Sequence, residues 1–385
     1  MLLGDLGADV IKVEPPEGDA TRGWGPPWVG SLAEGTQTAA YFLAVNRNKR
    51  GLRLDLKTPD GVAILARLLA DADVLVENFR VGSFARLGFD EGSLEALNSR
   101  LVHLAISGYG PTGPGAERPG YDFVIQAAGG LMSITGSPDP VGGGPTKVGV
   151  AISDVVSGML GAVAVLAALV GREREAGPIV GRGQRVDVSL LGATLASLVN
   201  QAQNAFVSGT APGRLGNAHP NIVPYETFET ADGALAVAVG SERQWPRLCV
   251  ALEIPGLATD PRFATNGDRV EHRDELRPIL AARFKEDGTA AWLAALDGAE
   301  VPAGPINDIL AAFAAPEALA LGMMVEQEHP AWGVIRQVGL PFALSATPGS
   351  IRTPPPTLGF HTDAILAGLG YSTARIADLR RRGII

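Results

Sequence analysis

The sequence has few of the residues that form disulfides and metal sites. Cys249 is the only cysteine among 385 residues, so no disulfide can form within the chain. We predict that it is a small buried apolar residue in a helix. The five histidines are scattered, and no two have the spacing of metal ligands. We therefore predict no metal site.

Positive charge is also scarce. The chain has 32 lysines and arginines against 41 aspartates and glutamates, which gives a formal net charge of −9. No basic stripe is visible, and a negative field repels phosphate backbones, so nucleic acid is not an expected partner. Single basic side chains can still bind a small phosphorylated ligand.

Long apolar runs are missing as well. The longest, residues 159–170, has about half of the roughly 20 residues needed to cross a bilayer, which predicts a buried helix and no membrane association. The first five residues lack the basic segment of a signal peptide. We expect a cytoplasmic protein.

The first half of the chain alternates between strand and helix patterns. Short β-branched or alternating apolar runs predict strands, and longer periodic stretches predict helices. Strands are predicted at 9–14, 52–56, 74–77, 101–106 and 185–189, and helices at 61–71, 94–98 (N-cap Ser93), 155–170 and 190–208. This order predicts an α/β fold with helices covering a parallel sheet.

The pattern changes from about residue 220. Runs at 224–230 and 234–239 flank Asp232 and Gly233, which is the signal of a hairpin. Helices are predicted at 242–252, 269–284, 290–299, 361–369 and 373–381, and short strands at 325–327 and 333–338. The hairpin and the helices at 242–252, 269–284 and 290–299 predict a second, smaller α+β domain.

Residues 108–113 match the G-x-G-x-x-G pattern of dinucleotide-binding proteins. In that motif a helix begins within the glycines and holds the pyrophosphate. Pro111, Pro114 and Pro119 disfavour a helix here, so we do not expect a nicotinamide or flavin site.

A carboxylate, Asp154, stands where the long apolar helix begins, and Tyr121 lies about one element upstream. The helix dipole and the free N–H groups of a helix start favour an anion there. From the residues alone, a capping role is the simpler interpretation of Asp154. A poorly hydrated carboxylate in this position could equally act as a nucleophile.

Several sequence blocks give these residues a context. They are residues 6–14, 18–22, 46–50, 77–79, 86–89, 118–122, 181–184 and 301–306. In their order, and across nearly the whole chain, they resemble the family III CoA-transferases, which include formyl-CoA transferase, carnitine CoA-transferase and the α-methylacyl-CoA racemases. Residues 214–225 are similar to the succinyl-CoA:dicarboxylate transferases in particular.

The resemblance implies a mechanism. The family's catalytic aspartate matches Asp154, whose carboxylate would attack the thioester of a donor acyl-CoA and pass through a mixed anhydride and an aspartyl-CoA thioester. Tyr121 stands where the racemases carry a histidine. Because a phenol is a poor base at neutral pH, Tyr121 favours transfer over racemisation. Asp122 is interpreted as a helix cap.

The resemblance also implies where CoA binds. Arg86 matches an arginine at the nucleotide end of CoA, and Asn78 and Phe79 match a pair at the edge of the CoA cleft. Further basic candidates are Lys49, Arg50 and Arg22. CoA is a substrate here, and no separate cofactor is expected. Pro15 replaces an arginine that contacts CoA in several relatives, so that contact should be absent or supplied by another residue.

The implied architecture is a Rossmann-like CoA-binding domain of residues 1–205 and 325–385 and a small α+β domain of residues 220–320. Residues 206–219 and 321–324 are the linkers. Two subunits would interlock as rings in a homodimer, with active sites at their interface. The family's opening strand and its loop precede the block that begins at residue 2, and we expect the chain as given to lack them.

Two other functions stay open at this stage. One is racemisation of an α-methylacyl-CoA, which is an isomerase reaction. The other is binding of acyl-CoA without catalysis, which an incomplete CoA site would allow.

Overall fold

A computed structural model describes all 385 residues, Met1–Ile385. The chain divides into two compact units. Unit 1 contains Met1–Asp122, Ser153–Thr194 and Phe313–Ile385, and unit 2 contains Phe123–Ile152 and Leu195–Ala312. Both ends of the chain therefore belong to one unit. The domain bounds given above stay a prediction.

Helices occur along the whole chain. The α-helices are α1 (Leu2–Asp5), α2 (Ala40–Leu43), α3 (Pro59–Ala70), α4 (Ser83–Arg86), α5 (Glu91–Leu97), α6 (Asp122–Ala128), α7 (Leu131–Ile134), α8 (Ile152–Arg172), α9 (Leu190–Ala196), α10 (Val199–Ser208), α11 (Gln244–Ala251), α12 (Asn266–Glu271), α13 (Arg273–Phe284), α14 (Thr289–Gly298), α15 (Ile309–Ala314), α16 (Pro316–Ala320), α17 (Thr362–Gly368) and α18 (Thr373–Arg381). Short 3₁₀ helices cover Ala20–Gly23, Asp139–Val141 and Pro255–Thr259.

Twelve strands form five small sheets. They are β1 (Val10–Glu14), β2 (Trp28–Val29), β3 (Thr38–Ala39), β4 (Lys49–Arg53), β5 (Val74–Glu77), β6 (Val102–Ser107), β7 (Arg185–Ser189), β8 (Tyr225–Glu229), β9 (Ala234–Ala238), β10 (Ala303–Pro305), β11 (Met324–His329) and β12 (Gly333–Val338). Strands β1 and β4 pair in parallel, and so do β5, β6 and β7 in that order. The predicted mixed α/β fold with parallel strands is confirmed, although these strands form two sheets.

The sheet β5–β6–β7 and helix α8 build one core of unit 1. Val102 and Leu104 of β6 pack with Val165 and Ala168 of α8, and all four side chains are buried. Burying one Val or Leu side chain contributes about 1.5–3 kcal/mol. Gly161 allows the close approach, because a Cβ atom there would lie 2.9 Å from Leu104 Cδ2.

A second core of unit 1 joins distant parts of the chain. It contains Leu52 of β4, Ile64 of α3, Leu366 of α17, Leu379 of α18 and Ile384 near the C-terminus. Since these residues come from both ends of the sequence, the fold of unit 1 depends on long-range contacts rather than on any one segment.

Unit 2 contains an antiparallel sheet in the order β10–β9–β8. The β8–β9 pair confirms the predicted hairpin. The core beside it includes Trp245, Phe263 and Phe284. Cys249 is fully buried in α11, as predicted, and burial raises the pKa of its thiol to about 12. A thiol in this state is not a nucleophile at neutral pH.

Four predicted elements differ from the structure. The helix predicted at 190–208 is interrupted between α9 and α10, where Val199 adopts a φ of 39°. The helix at 269–284 is likewise two helices, α12 and α13. The N-cap of α5 is Asp90, whose Oδ1 accepts the N–H of Ser93 at 2.8 Å. The strand predicted at 52–56 lies three residues earlier, as β4; Leu52 within it and Leu54 after its end are both buried, so the apolar alternation continues past the strand.

Helix α8 is longer and more exposed than predicted. It has 21 residues, and only one face packs on β6 and β7. The other face has no partner within the chain, and its exposed apolar side chains are Val155, Met159, Leu160, Val163, Leu166 and Val170. By length and composition alone α8 could cross a membrane, a test that apolar core helices also pass.

Candidate active site

The candidate site lies at the carboxyl ends of the parallel strands β5, β6 and β7. Ligands of open α/β sheets bind at this edge. Two hydroxyl groups shape the turns there: Ser107 Oγ accepts the N–H of Gly110 at 3.1 Å, and Ser189 Oγ accepts the N–H of Gly192 at 3.0 Å. The N–H of Leu191 bonds to the Gly108 carbonyl at 3.0 Å, which joins the ends of β6 and β7.

The loop after β6 returns to the edge of the sheet. Its two ends touch at Gly108 and Gly120: a Cβ atom on Gly108 would lie 2.6 Å from Gly120 Cα. Only glycine permits this contact, which places Tyr121 and Asp122 beside the strand end. No helix begins between Ser107 and Asp122, so the glycine-rich segment is not a pyrophosphate-binding helix start, as predicted.

Asp122 caps helix α8. Its Oδ1 accepts the backbone N–H of Ser153 at 2.8 Å, which confirms the interpretation of this residue as a cap. The Ser153 hydroxyl lies 2.8 Å from Thr194 Oγ1, and the Ser153 carbonyl accepts the hydroxyl of Ser157 at 2.6 Å. Ser153 is thus held on three sides, and these contacts fix the backbone that carries Asp154.

Asp154 lies in the first turn of α8 and its side chain is exposed in the single chain. Even so, surrounding protein removes part of its hydration, and this desolvation raises the pKa of its carboxyl. The nearby Asp122 carboxylate raises that pKa further. A carboxyl whose pKa is raised by desolvation and a like charge is a frequent sign of a functional site.

Two tyrosines accompany Asp154. Tyr121 directly precedes Asp122 and is 69% exposed, so Tyr121 and Asp154 flank the hydrogen-bonded pair Asp122–Ser153. Tyr41 of α2 was not predicted. Burial raises the pKa of its phenol, and so do the charges of Asp154 and Asp122, which shows that Tyr41 lies close to both carboxyls. Its ring meets Trp24 edge to face at 5.0 Å.

No sequence pattern indicated a role for Tyr41. It stands in a four-residue helix among apolar neighbours, where an aromatic residue is ordinarily interpreted as core. Its 44% exposure is what distinguishes it, and exposure is set by the fold.

Asn78, Phe79 and Arg86 all lie in the segment that follows β5. Asn78 and Phe79 directly follow the strand, and all three side chains are exposed. The Phe79 ring stacks on Phe84 at 5.6 Å. Arg86 Nη2 donates to Ser83 Oγ at 2.7 Å, and no carboxylate pairs with it. An exposed, unneutralised guanidinium and an exposed aromatic ring in the same short segment suit the binding of a nucleotide that carries phosphates.

Arg22 and Arg50 are differently placed. Arg22 donates through Nε and Nη2 to the buried Glu14 carboxylate at 2.7 and 2.8 Å, and its guanidinium lies 3.7 Å from the centre of the Phe42 ring. Arg50 makes a two-fold contact with Asp9 at 2.8 and 2.5 Å. Both guanidinium groups are therefore neutralised by carboxylates.

Lys49 is the third basic candidate around β1 and β4. Its Nζ donates to Asn46 Oδ1 at 2.9 Å. Burial lowers the pKa of its ammonium to about 8, and the charge of Lys12 acts in the same direction. Of the six predicted CoA-binding residues, Asn78, Phe79 and Arg86 thus lie in one segment after β5, whereas the other three lie around β1 and β4.

Comparison with known proteins agrees with this site. The profile of CoA-transferase family III matches residues 1–362, and a partly desolvated carboxyl group in the first turn of a helix suits a reaction with a CoA thioester. The chain therefore belongs to CoA-transferase family III and is a CoA-transferase.

Individual relatives narrow the comparison. The chain is 46% identical over 369 residues to the succinate–glutarate CoA-transferase of Agrobacterium fabrum, covering 96% of this chain and 90% of that protein. It is 39% identical over 387 residues to the human succinyl-CoA:glutarate CoA-transferase, covering 100% of this chain and 85% of that protein. A crystal structure of a CaiB/BaiF family protein from Brucella suis superposes with a TM-score of 0.82 at 43% identity, over 95% of this chain and 93% of that one.

Proposed function

We propose that this protein transfers CoA from succinyl-CoA to a dicarboxylic acid, with glutarate as the first candidate acceptor, and that Asp154 carries the acyl group between them. Two relatives named for succinate or succinyl-CoA and glutarate, each covering most of this chain, support the substrates. The observation that carries the mechanism is the position of Asp154 in the first turn of α8 with a raised pKa.

A raised pKa suits a carboxylate nucleophile. Partial desolvation makes the anion more basic and therefore more nucleophilic, while the N-terminal end of α8 keeps the anion accessible at neutral pH. Asp122 contributes twice, since it caps α8 through Ser153 and its charge raises the pKa of Asp154.

The donor half-reaction has two steps. An Asp154 oxygen attacks the thioester carbonyl of succinyl-CoA, the C–S bond breaks, and CoA leaves as a thiolate from a mixed succinyl–aspartyl anhydride. The thiolate then attacks the Asp154 carbonyl, which gives the aspartyl-CoA thioester and releases succinate.

The acceptor half-reaction reverses these steps with the second acid. A carboxylate of glutarate attacks the aspartyl-CoA carbonyl and expels the thiolate, forming a glutaryl–aspartyl anhydride. The thiolate attacks the glutaryl carbonyl, and Asp154 leaves as a free carboxylate beside glutaryl-CoA. No proton is gained or lost overall, so the site needs hydrogen-bond donors rather than a base. We assign the hydroxyl of Tyr121 as one such donor. Its sequence neighbour Asp122 accepts the N–H of Ser153, the residue before Asp154, which supports this assignment.

CoA binding is assigned to the group after β5. Arg86 pairs with a phosphate, the Phe79 ring borders the adenine, and Asn78 lines the cleft edge. Their exposed side chains at the carboxyl end of a parallel strand support this assignment. Arg22, Lys49 and Arg50 are left out of the proposed contacts, because Glu14, Asn46 and Asp9 occupy their donors.

The working form is proposed to be the interlocked homodimer. The exposed apolar face of α8 supports a second copy as the missing partner, since residues such as Leu160 and Val163 are 42% and 63% exposed in the single chain. That face begins at Val155, the residue after Asp154, so the second subunit would also exclude water from the nucleophile. We also propose a cytoplasmic location, which is supported to the extent that the dimer would cover the apolar face of α8 and leave it unable to enter a membrane.

The test is a transfer assay on the purified protein. Succinyl-CoA is incubated with glutarate, and with matched mono- and dicarboxylic acids, and new acyl-CoA is measured by mass spectrometry. We expect glutaryl-CoA from the wild type and none from Asp154→Asn, which should still bind CoA. Turnover by that variant, or exchange of an α-proton without transfer, would contradict the proposal.

A further inference from the structure

The turn that follows β5 is tied to the sheet by a carboxyl group. Glu77 is the last residue of β5, and its side chain is 10% exposed. Its Oε2 accepts the N–H of Phe79 at 2.7 Å. This bond fixes the backbone of Asn78 and Phe79 relative to the strand. The orientation of the Glu77 side chain therefore decides where both residues point.

A buried histidine lies against the other oxygen of Glu77. His103, the second residue of β6, is 6% exposed, and its Nε2 lies 3.4 Å from Glu77 Oε1. This nitrogen is buried and makes no hydrogen bond, so at 3.4 Å it is in polar contact with the Glu77 carboxylate without being hydrogen-bonded to it. The strand register pairs Leu75 with His103, which places Glu77 one step further along the same face of the sheet.

Strand β7 supplies no side chain that bonds to Glu77. Arg185 of β7 is paired directly with His103 in the register, but its guanidinium bonds to Asp187 at 2.8–3.1 Å and lies 3.5 Å from Glu91. Because these carboxylates hold Arg185, the imidazole is the group that contacts Glu77 Oε1.

The aromatic side of the turn leads to the same histidine. The Phe84 ring lies 5.9 Å from the His103 ring and stacks on Phe79 at 5.6 Å. Phe79 is thus held at its backbone by Glu77 and at its ring by Phe84, and both holding groups contact His103. A change at His103 should reach Phe79 by two routes.

We propose that His103 is a positioning residue for CoA binding, which acts through Glu77 and Phe84 to set the Asn78–Phe79 turn. The inference rests on the proposed function, in which this turn borders the CoA site. Since His103 touches neither Asp154 nor the reacting carbonyl in this scheme, its loss should weaken CoA binding and leave the chemical steps intact.

The test compares three variants. His103→Phe keeps a buried ring next to Phe84 but removes Nε2, and His103→Gln restores a donor toward Glu77. The control, Leu94→Ala, damages the apolar cluster that contains Phe84 and leaves Glu77 unchanged. The dissociation constant for CoA is measured by calorimetry, KM for succinyl-CoA and kcat by the transfer assay, and exchange of the Phe79 amide by mass spectrometry.

We expect His103→Phe to remove the polar contact with Glu77 and to raise the dissociation constant and KM about fivefold, which corresponds to about 1 kcal/mol, with kcat unchanged and faster Phe79 amide exchange. His103→Gln should restore tight binding. Leu94→Ala should lower the melting temperature while leaving CoA binding as in the wild type.

Unchanged CoA affinity and unchanged Phe79 exchange in His103→Phe would overturn the inference, as would an equal loss of affinity in Leu94→Ala. If His103→Phe does not fold, Phe79 exchange in Glu77→Leu decides the question, because an unaltered rate there also overturns it. A wild type that does not bind CoA would overturn the proposed function, whereas a CoA-binding wild type with an unaffected His103→Phe overturns this inference alone.

Discussion

Asp122 offers a prediction that separates two physical effects of one side chain. It accepts the N–H of Ser153 at 2.8 Å, and its charge raises the pKa of Asp154. Asp122→Ala removes both the cap and the charge. Asp122→Asn removes only the charge, because an asparagine oxygen caps a helix about as well as an aspartate oxygen. The two variants should therefore differ in stability and agree in the pH dependence of catalysis.

The size of the stability effect follows from the cap. Losing an N-cap acceptor costs about 1 kcal/mol, within a range of roughly 0.5–2 kcal/mol. We expect denaturant unfolding at neutral pH to show this loss for Asp122→Ala and a smaller change for Asp122→Asn. The cap belongs to a 21-residue helix that packs against β6, so the loss should appear in the main transition rather than in local fraying.

The sign of the pH effect follows from the nucleophile. Asp154 attacks only when ionised, so kcat rises as pH passes the raised pKa of Asp154. Without the Asp122 charge that pKa falls, and the acid side of the pH–kcat profile should move to lower pH in both variants. A profile that stays in place in Asp122→Asn, or moves to higher pH, would refute the reasoning. So would equal stability losses in the two variants.

Three further predictions concern stability and assembly. Burial lowers the pKa of Lys49 in the folded chain to about 8, from its ordinary value of 10.5. Between these two pH values the unfolded chain binds more protons than the folded chain, so the free energy of unfolding rises with pH. Denaturant unfolding measured across this range should show that rise in the wild type and not in Lys49→Met. Gly161→Val should cost about 1–3 kcal/mol by overpacking against Leu104, and an unchanged melting temperature would argue against the close contact of α8 and β6. Val163→Glu should convert the dimer into a monomer, which light scattering measures. A wild type that is already monomeric would contradict the proposed assembly.

Several parts of the fold were open to prediction because the signal is local. Strands β5 and β7 appear as predicted, since short apolar runs between turn residues specify them. The hairpin β8–β9 was visible in its Asp-Gly turn. The start of α8 near Asp154 was also predictable, because the residue types around a helix start follow local rules.

Other features depend on contacts that no local pattern contains. The break before α10 lies inside a continuous apolar periodicity, so it was predicted as one helix. The apolar residues of α8 predicted burial, yet burial needs a partner surface, and the chain offers one for a single face only. Folding brings Tyr41 near Asp154 and, at a separate place, brings His103 beside Glu77. In each pair the two residues come from different segments of the sequence.

The central claim is that Asp154 becomes acylated during turnover. The most direct test is to mix the protein with succinyl-CoA, trap the intermediate with hydroxylamine, digest the chain and identify the modified peptide by mass spectrometry. The account predicts a hydroxamate on the Asp154 side chain in the wild type and none in Asp154→Asn. Full transfer to glutarate with an unmodified Asp154 peptide would contradict it.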